Sequence, residues 1–179
     1  MSATAARNVA ITPLGGDEWQ LLKHLRIAAL TDTPDAFGPT AEHARAQPDS
    51  YWQTWAGRLD AARGLALFVL RVDGEPCGLV SATTDRRGVG HIGAMWVAPA
   101  ARGLHLGSRL LDRAVEFLTA SGCSAIELSV TEGNAGPLAL YRSRGFELTG
   151  AFEPLREGSA QKNLFMRRAR PLRDATPNS

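Results

Sequence analysis

Residues 95–118 read MWVAPAARGLHLGSRLLDRAVEFL. An apolar run ends at Val97, and Pro99 lacks the N–H that would continue a strand's ladder. After a short turn, Arg102 to Gly107, the residues Leu106, Leu110, Leu111, Ala114 and Leu118 recur on one helical face. Arg109, Asp112, Arg113 and Glu116 recur on the other. The segment therefore predicts a strand, a glycine-containing turn and an amphipathic helix over about 107–120. The first N–H groups of a helix lack internal partners, and its dipole puts partial positive charge there. Glycines let a phosphate approach such a backbone closely, and Arg102 adds a full charge beside it. An anion site is expected at 102–107. The nucleotide pattern GxxxxGK followed by Ser or Thr is absent, and so is the GxGxxG dinucleotide fingerprint.

Downstream, residues 126–147 read IELSVTEGNAGPLALYRSRGFE. They predict a strand at 125–130, a helix at 135–144 and a further strand at 146–153. Asn134 stands where a helix cap belongs, and Pro137 falls in the first turn, where its missing N–H costs little. Leu138 and Tyr141 follow at helical spacing, and Gly145 suits a left-handed stop. A last strand is expected near 163–168.

Upstream, Val9–Thr12 reads as a strand. A helix over about 17–31 follows, with Asp17 as its capping side chain. The prolines and glycine of Thr33–Pro48 break regular structure, save for a short helix at 40–46. A second helix is expected from Asp49 to Ala62, with Trp52 and Trp55 on one face as core packing. Leu65–Val72, Gly78–Thr84 and His91–Val97 then form an antiparallel set joined by turns, the first at Asp73-Gly74. This hairpin section rules out a plain alternating Rossmann pattern. The expectation is one α+β domain over 1–179, with a core at about 9–168 and flexible ends at 1–7 and 170–179.

The bulk numbers agree with one ordinary globular domain: 179 residues, 44% apolar, 21% charged and a net charge of +2. So small a net charge sets up no global field for nucleic acid or membrane, and neither is expected as a partner. The arginine cluster Arg167, Arg168, Arg170 and Arg173 is short and lacks interleaved aromatics, so it reads as a solvated tail. Two cysteines, Cys77 and Cys123, make no disulfide framework and fit a reducing cytoplasm. The four histidines and two cysteines lack metal-ligand spacing, so no metal is expected.

Taken together, the two motif segments resemble the GNAT family of N-acetyltransferases. The family's acetyl-CoA signature is Q/R-x-x-G-x-G/A between a strand and a helix, and RGLHLG at 102–107 matches it at Arg102 and Gly107. About 27 residues further on stands the family's N-x-x-A/P-x-x-x-Y-x-x-x-G-F pattern, here Asn134, Pro137, Tyr141, Gly145 and Phe146. The resemblance spans about residues 9–168. It implies a central mixed sheet of about seven strands with helices on both faces. It also implies acetyl-CoA lying between two parallel strands that splay apart.

On that resemblance, the backbone of Met95, Trp96 and Val97 would hold the pantetheine arm. The turn Arg102, Gly103, Leu104, His105, Leu106, Gly107 and Ser108 would hold the pyrophosphate. Asn134 and Pro137 would meet the cofactor from the second strand. An acceptor amine would attack the thioester directly, with Tyr141 as general acid to the leaving thiolate. The departure from the family is His105, which stands where the first motif glycine usually does; an outward-facing or ligand-contacting imidazole on a working turn is expected. HIGAMWV carries no carboxylate, so the base stays open among His91, Glu127, Glu153, Glu42 and water. The acceptor, a small molecule or a protein amine, is not identified, and a homodimer is left open. The other functional class is a non-catalytic acyl-CoA sensor on the same fold, and turnover of acetyl-CoA with any amine separates the two.

Overall fold

The apolar run at 65–70 becomes the centre of a strand buried on both faces, and the molecule is layered around it. The computed structural model describes residues 7–169. Seven strands form one sheet: β1 (Val9–Pro13), β2 (Leu65–Val72), β3 (Glu75–Thr84), β4 (Val89–Val97), β5 (Ala125–Thr131), β6 (Glu147–Pro154) and β7 (Lys162–Ala169). Their spatial order is β1-β2-β3-β4-β5-β7-β6, antiparallel throughout except for the parallel β4–β5 pair.

Alternation along the strands sends side chains to two separate cores. Phe68, Leu70, Val80, Ala82, Leu128 and Met166 pack beneath helix α4 (Leu106–Ala120), which contributes Leu110, Leu111, Ala114 and Leu118. Helix α5 (Ala135–Ser143) adds Tyr141 to the same core. Leu67, Val69, Leu79 and Trp96 pack on the opposite face against α1 (Trp19–Asp32), α2 (Ala41–Ala46) and α3 (Asp49–Gly57). Helices on both faces of a seven-stranded mixed sheet are the expected arrangement. Trp52 is fully buried and stacks on Trp55 at 5.8 Å between ring centroids, so this pair is core packing.

Several boundaries differ from the sequence expectations for local reasons. Helix α3 stops at Gly57 rather than Ala62, because Asp60 forms a bridge with Leu65 and its carboxylate accepts from Ala62 N, starting a separate short turn at Ala61–Arg63. Helix α1 begins at Trp19, and no side chain caps it. Instead of Asp17, Glu18 folds back to accept from Gly15 N at 2.7 Å and meets Arg71 at 3.4 Å. Asn134 occupies the cap position of α5 without a capping bond from its side chain. Gly145 does take the left-handed stop expected of it, with φ of 79°. The expected flexible ends lie, apart from Arg7, outside the described residues, as do Arg170 and Arg173.

Candidate active site

Parallel strands β4 and β5 pair only over Val89–His91 and Ala125–Glu127. Beyond those residues they part. The cause of the parting is visible in β4. Leu79 of β3 faces Trp96 while Ser81 faces Gly93, so three steps along β4 match two along β3. This extra residue is a β-bulge, which bends its strand and re-aims the backbone. Ala94, inside it, has φ of 51°, a conformation unusual for a residue with a Cβ.

A cavity of about 710 Å³ occupies the gap. Met95, Trp96 and Val97 line it from β4, and Ser129, Val130 and Thr131 from β5. Every residue expected at the cofactor site lines it except Leu104, whose side chain is exposed. One end is the turn before α4. Arg109 N makes the first bond within that helix, to His105 O at 3.3 Å. The N–H groups of Leu106, Gly107 and Ser108 therefore belong to the turn without internal partners, and all three residues line the cavity. That arrangement fits an anionic pyrophosphate.

His105 departs from the family signature in identity but not in shape. Its φ is 56°, the left-handed region in which a glycine is at ease. It lines the cavity while remaining exposed, and its side chain caps nothing.

At the other end Tyr141 projects from α5. It is 8% exposed, its ring meets Phe146 edge-on, and its hydroxyl lies 3.8 Å from Met95 Sδ. Burial pushes this phenol up to about 12, so it carries its proton at every working pH. Helix α5 is held in place by Arg144, whose guanidinium grips Asp112 of α4 through two bonds, 2.7 and 3.2 Å. Asn134 is freed from capping and also lines the cavity.

The remaining wall was not anticipated from the sequence in its details. Thr33, Ala36, Phe37 and Gly38 close one side, and Leu155 from the β6–β7 connection meets them. Arg156 beside it donates to Pro34 O at 2.7 Å and lies 3.7 Å from Asp35. Across the floor, Asn163 of β7 donates to Ser129 at 3.0 Å. The polar alternation Glu127, Ser129, Thr131 against apolar Ile126, Leu128, Val130 was the available signal for this floor. None of the four side chains left open as a base lines the cavity. His91 and Glu127 face each other across the paired part of β4 and β5. There Glu127 meets Arg167 at 2.9 Å, and His91 meets Asp85 at 3.4 Å. Among the described residues, no three His, Cys, Asp or Glu side chains gather as a metal site, and no helix is long and apolar enough to cross a membrane.

Comparison with known proteins agrees with this geometry. The chain is 39% identical over 90 residues to an IAA acetyltransferase of Azospirillum brasilense, covering 50% of this chain and 57% of that protein. It is 32% identical over 135 residues to a mycothiol acetyltransferase of Stackebrandtia nassauensis, covering 74% and 42%. The chain thus spans about half the length of these curated relatives. Among solved structures, yncA of Salmonella typhimurium, determined with its cofactor acetyl-CoA, superposes with a TM-score of 0.74 at 21% identity, covering 94% of this chain and 99% of that one. A ribosomal-protein-alanine N-acetyltransferase from Brucella melitensis gives 0.74 at 22% identity, covering 90% and 99%. At those identities the likeness speaks to the fold alone. The family model described as Acetyltransferase (GNAT) family matches residues 27–146. The chain belongs to this family.

Proposed function

We propose that the protein transfers the acetyl group of acetyl-CoA directly to an acceptor amine, with Tyr141 as the acid for the leaving thiolate. The observation that carries this reading is one continuous cavity running from the glycine turn at 102–107 to the buried hydroxyl of Tyr141. Acetyl-CoA enters the gap between β4 and β5 with its pyrophosphate on the N–H groups of Leu106, Gly107 and Ser108. Its pantetheine arm runs along Met95–Val97, and Asn134 and Pro137 contact it from the other side. The bulge at Ala94 interrupts the β3–β4 ladder, which leaves backbone N–H groups of this segment to polarise the thioester carbonyl.

The amine nitrogen bonds to the carbonyl carbon, and the tetrahedral intermediate collapses with cleavage of the C–S bond. Tyr141 O–H points at the departing sulfur and donates to it. A phenol at about 12 is a weaker acid than a free one, but the same desolvation raises the basicity of a thiolate expelled beside it. The two remain matched for proton transfer. The proton lost by the ammonium passes through water to solvent, since none of His91, Glu42, Glu127 and Glu153 lines the cavity.

The test is a screen of amine acceptors read by release of free CoA, followed by Tyr141→Phe in single turnover with an accepted amine. The substitution keeps the ring against Phe146, so the fold and acetyl-CoA affinity hold while the chemical rate falls by roughly 10²–10⁴-fold. Equal single-turnover rates for the two proteins would remove Tyr141 from the mechanism. Acetyl-CoA binding without turnover by any amine would favour the sensor reading.

A further inference from the structure

Arg102, the arginine of the acetyl-CoA signature, is not a free cation. Its Nε donates to Val97 O at 3.0 Å, at the end of β4. Its terminal Nη2 donates to Asp32 Oδ2, at the C-terminal end of α1. The same carboxylate oxygen accepts from Trp96 Nε1 at 2.8 Å, and Trp96 is anchored in the core beneath α1–α3. Asp32 therefore holds two donors that flank the turn, one on the strand before it and one on the turn's first residue. Past Arg102 the chain has little else to fix it: Gly103 and Leu104 are exposed, and His105 sits in a strained left-handed conformation.

We infer that Asp32 is a positioning residue for acetyl-CoA, acting through Arg102 to set the pyrophosphate turn at the end of β4. The inference rests on the reading that 102–107 holds the pyrophosphate. The guanidinium reaches two acceptors from two different nitrogens, Nε to backbone and Nη2 to carboxylate, a spread that the single nitrogen of a lysine does not reproduce. Neutralised by Asp32, Arg102 contributes geometry to the turn rather than net charge. The opposite arrangement is a competition, in which Asp32 withholds Arg102 from the phosphate; it predicts the opposite sign.

Acetyl-CoA affinity measured by calorimetry on the full chain separates these cases. Asp32→Asn keeps an acceptor for Trp96 but loses the charge that grips Arg102. It should weaken acetyl-CoA binding roughly tenfold, and Arg102→Met should do the same, with the double variant no worse than either, the signature of a coupled pair. Asp32→Glu should recover most of the affinity, and Arg102→Lys should not. Binding of S-acetylpantetheine, which lacks the pyrophosphate, followed by ligand-observed NMR, should be unchanged in Asp32→Asn. A general structural defect would instead weaken both donors, and that result overturns the inference, as does parental or tighter acetyl-CoA affinity in Asp32→Asn. Gly107→Glu tests the underlying reading separately. A Cβ at Gly107 meets only ordinary contacts, Leu140 Cδ2 at 3.6 Å and Met95 Cε at 3.8 Å, so the fold survives while the carboxylate opposes the pyrophosphate. Parental affinity in Gly107→Glu would place the pyrophosphate elsewhere and remove the inference with it.

Discussion

His105→Gly should make the protein more stable, although it deletes a side chain and inserts the most flexible residue. The position has φ of 56° in the folded state. A residue with a Cβ in that region costs about 1–2 kcal/mol, because the Cβ crowds the following carbonyl. Glycine removes that cost but loses about 0.5–1 kcal/mol more backbone freedom on folding. The imidazole is exposed and caps nothing, so little packing is lost with it. The difference spans about 0–1.5 kcal/mol and centres on a gain of about 0.75 kcal/mol, a rise in Tm of about 2–3 °C for a chain of this size. Urea denaturation of the parent, His105→Gly and His105→Ala measures it. Alanine keeps the Cβ and hence the strain, so it should give no gain. Stability in His105→Gly at or below the parent's, or an equal gain in His105→Ala, would refute backbone strain as the cause. Acetyl-CoA affinity of His105→Gly should be equal or tighter; a large loss would show that the imidazole itself contacts the cofactor.

Two further predictions concern groups outside the cleft. Asp85 accepts from the Val89 and Arg87 N–H groups at 2.9 and 2.8 Å and faces His91, and these bonds, the Val89 bond foremost, hold its carboxyl down at about 2. A folded-state value below the unfolded one, about 3.9 for an aspartate, stabilises the fold above that unfolded value. Asp85→Asn should be less stable than the parent at pH 7, with a gap that closes as pH falls from about 4 to about 2. A gap still present at pH 2 in chemical denaturation would contradict the sign. Arg26 is 6% exposed, stacks over Phe37 at 5.0 Å and lies 5.9 Å from Trp55, and has no carboxylate partner among the described residues. Burying a charge without a partner is costly, and Arg26 Nη1 is buried with no hydrogen-bond partner, so Arg26→Met should not destabilise; a loss above about 2 kcal/mol on urea denaturation would refute this.

What was legible in the sequence was local chemistry with a short period. The turn at 102–107, the amphipathic stripe of α4 and the left-handed stop at Gly145 each depend on residues within a few positions, so reading order and spatial order agree. What was not legible depends on contacts across the chain. Asp32 meets Arg102 across 70 positions, and nothing in Thr31–Thr33 marks that aspartate as a partner of the turn at 102–107. Asn163 reaches Ser129 only because β7 inserts between β5 and β6 in the sheet, an order that strand propensities do not encode. At the bulge the left-handed conformation falls on Ala94 rather than on its neighbour Gly93, so the glycine does not mark the residue that turns. Asn134 was read as a cap because a cap is what an asparagine before a helix usually does. Here the cap position is satisfied by backbone bonds alone, Leu138 N to Asn134 O and Asn134 N to Thr131 O, and the side chain turns to the cavity. These unread features share a location, the place where β4 and β5 separate. The pairing of strands there gives way to a bulge, a strained turn and long-range ion pairs, which costs local stability and opens the cavity. The consequence is that the best-formed local motifs frame the site, while the residues that open and set it are the ones least written in local pattern.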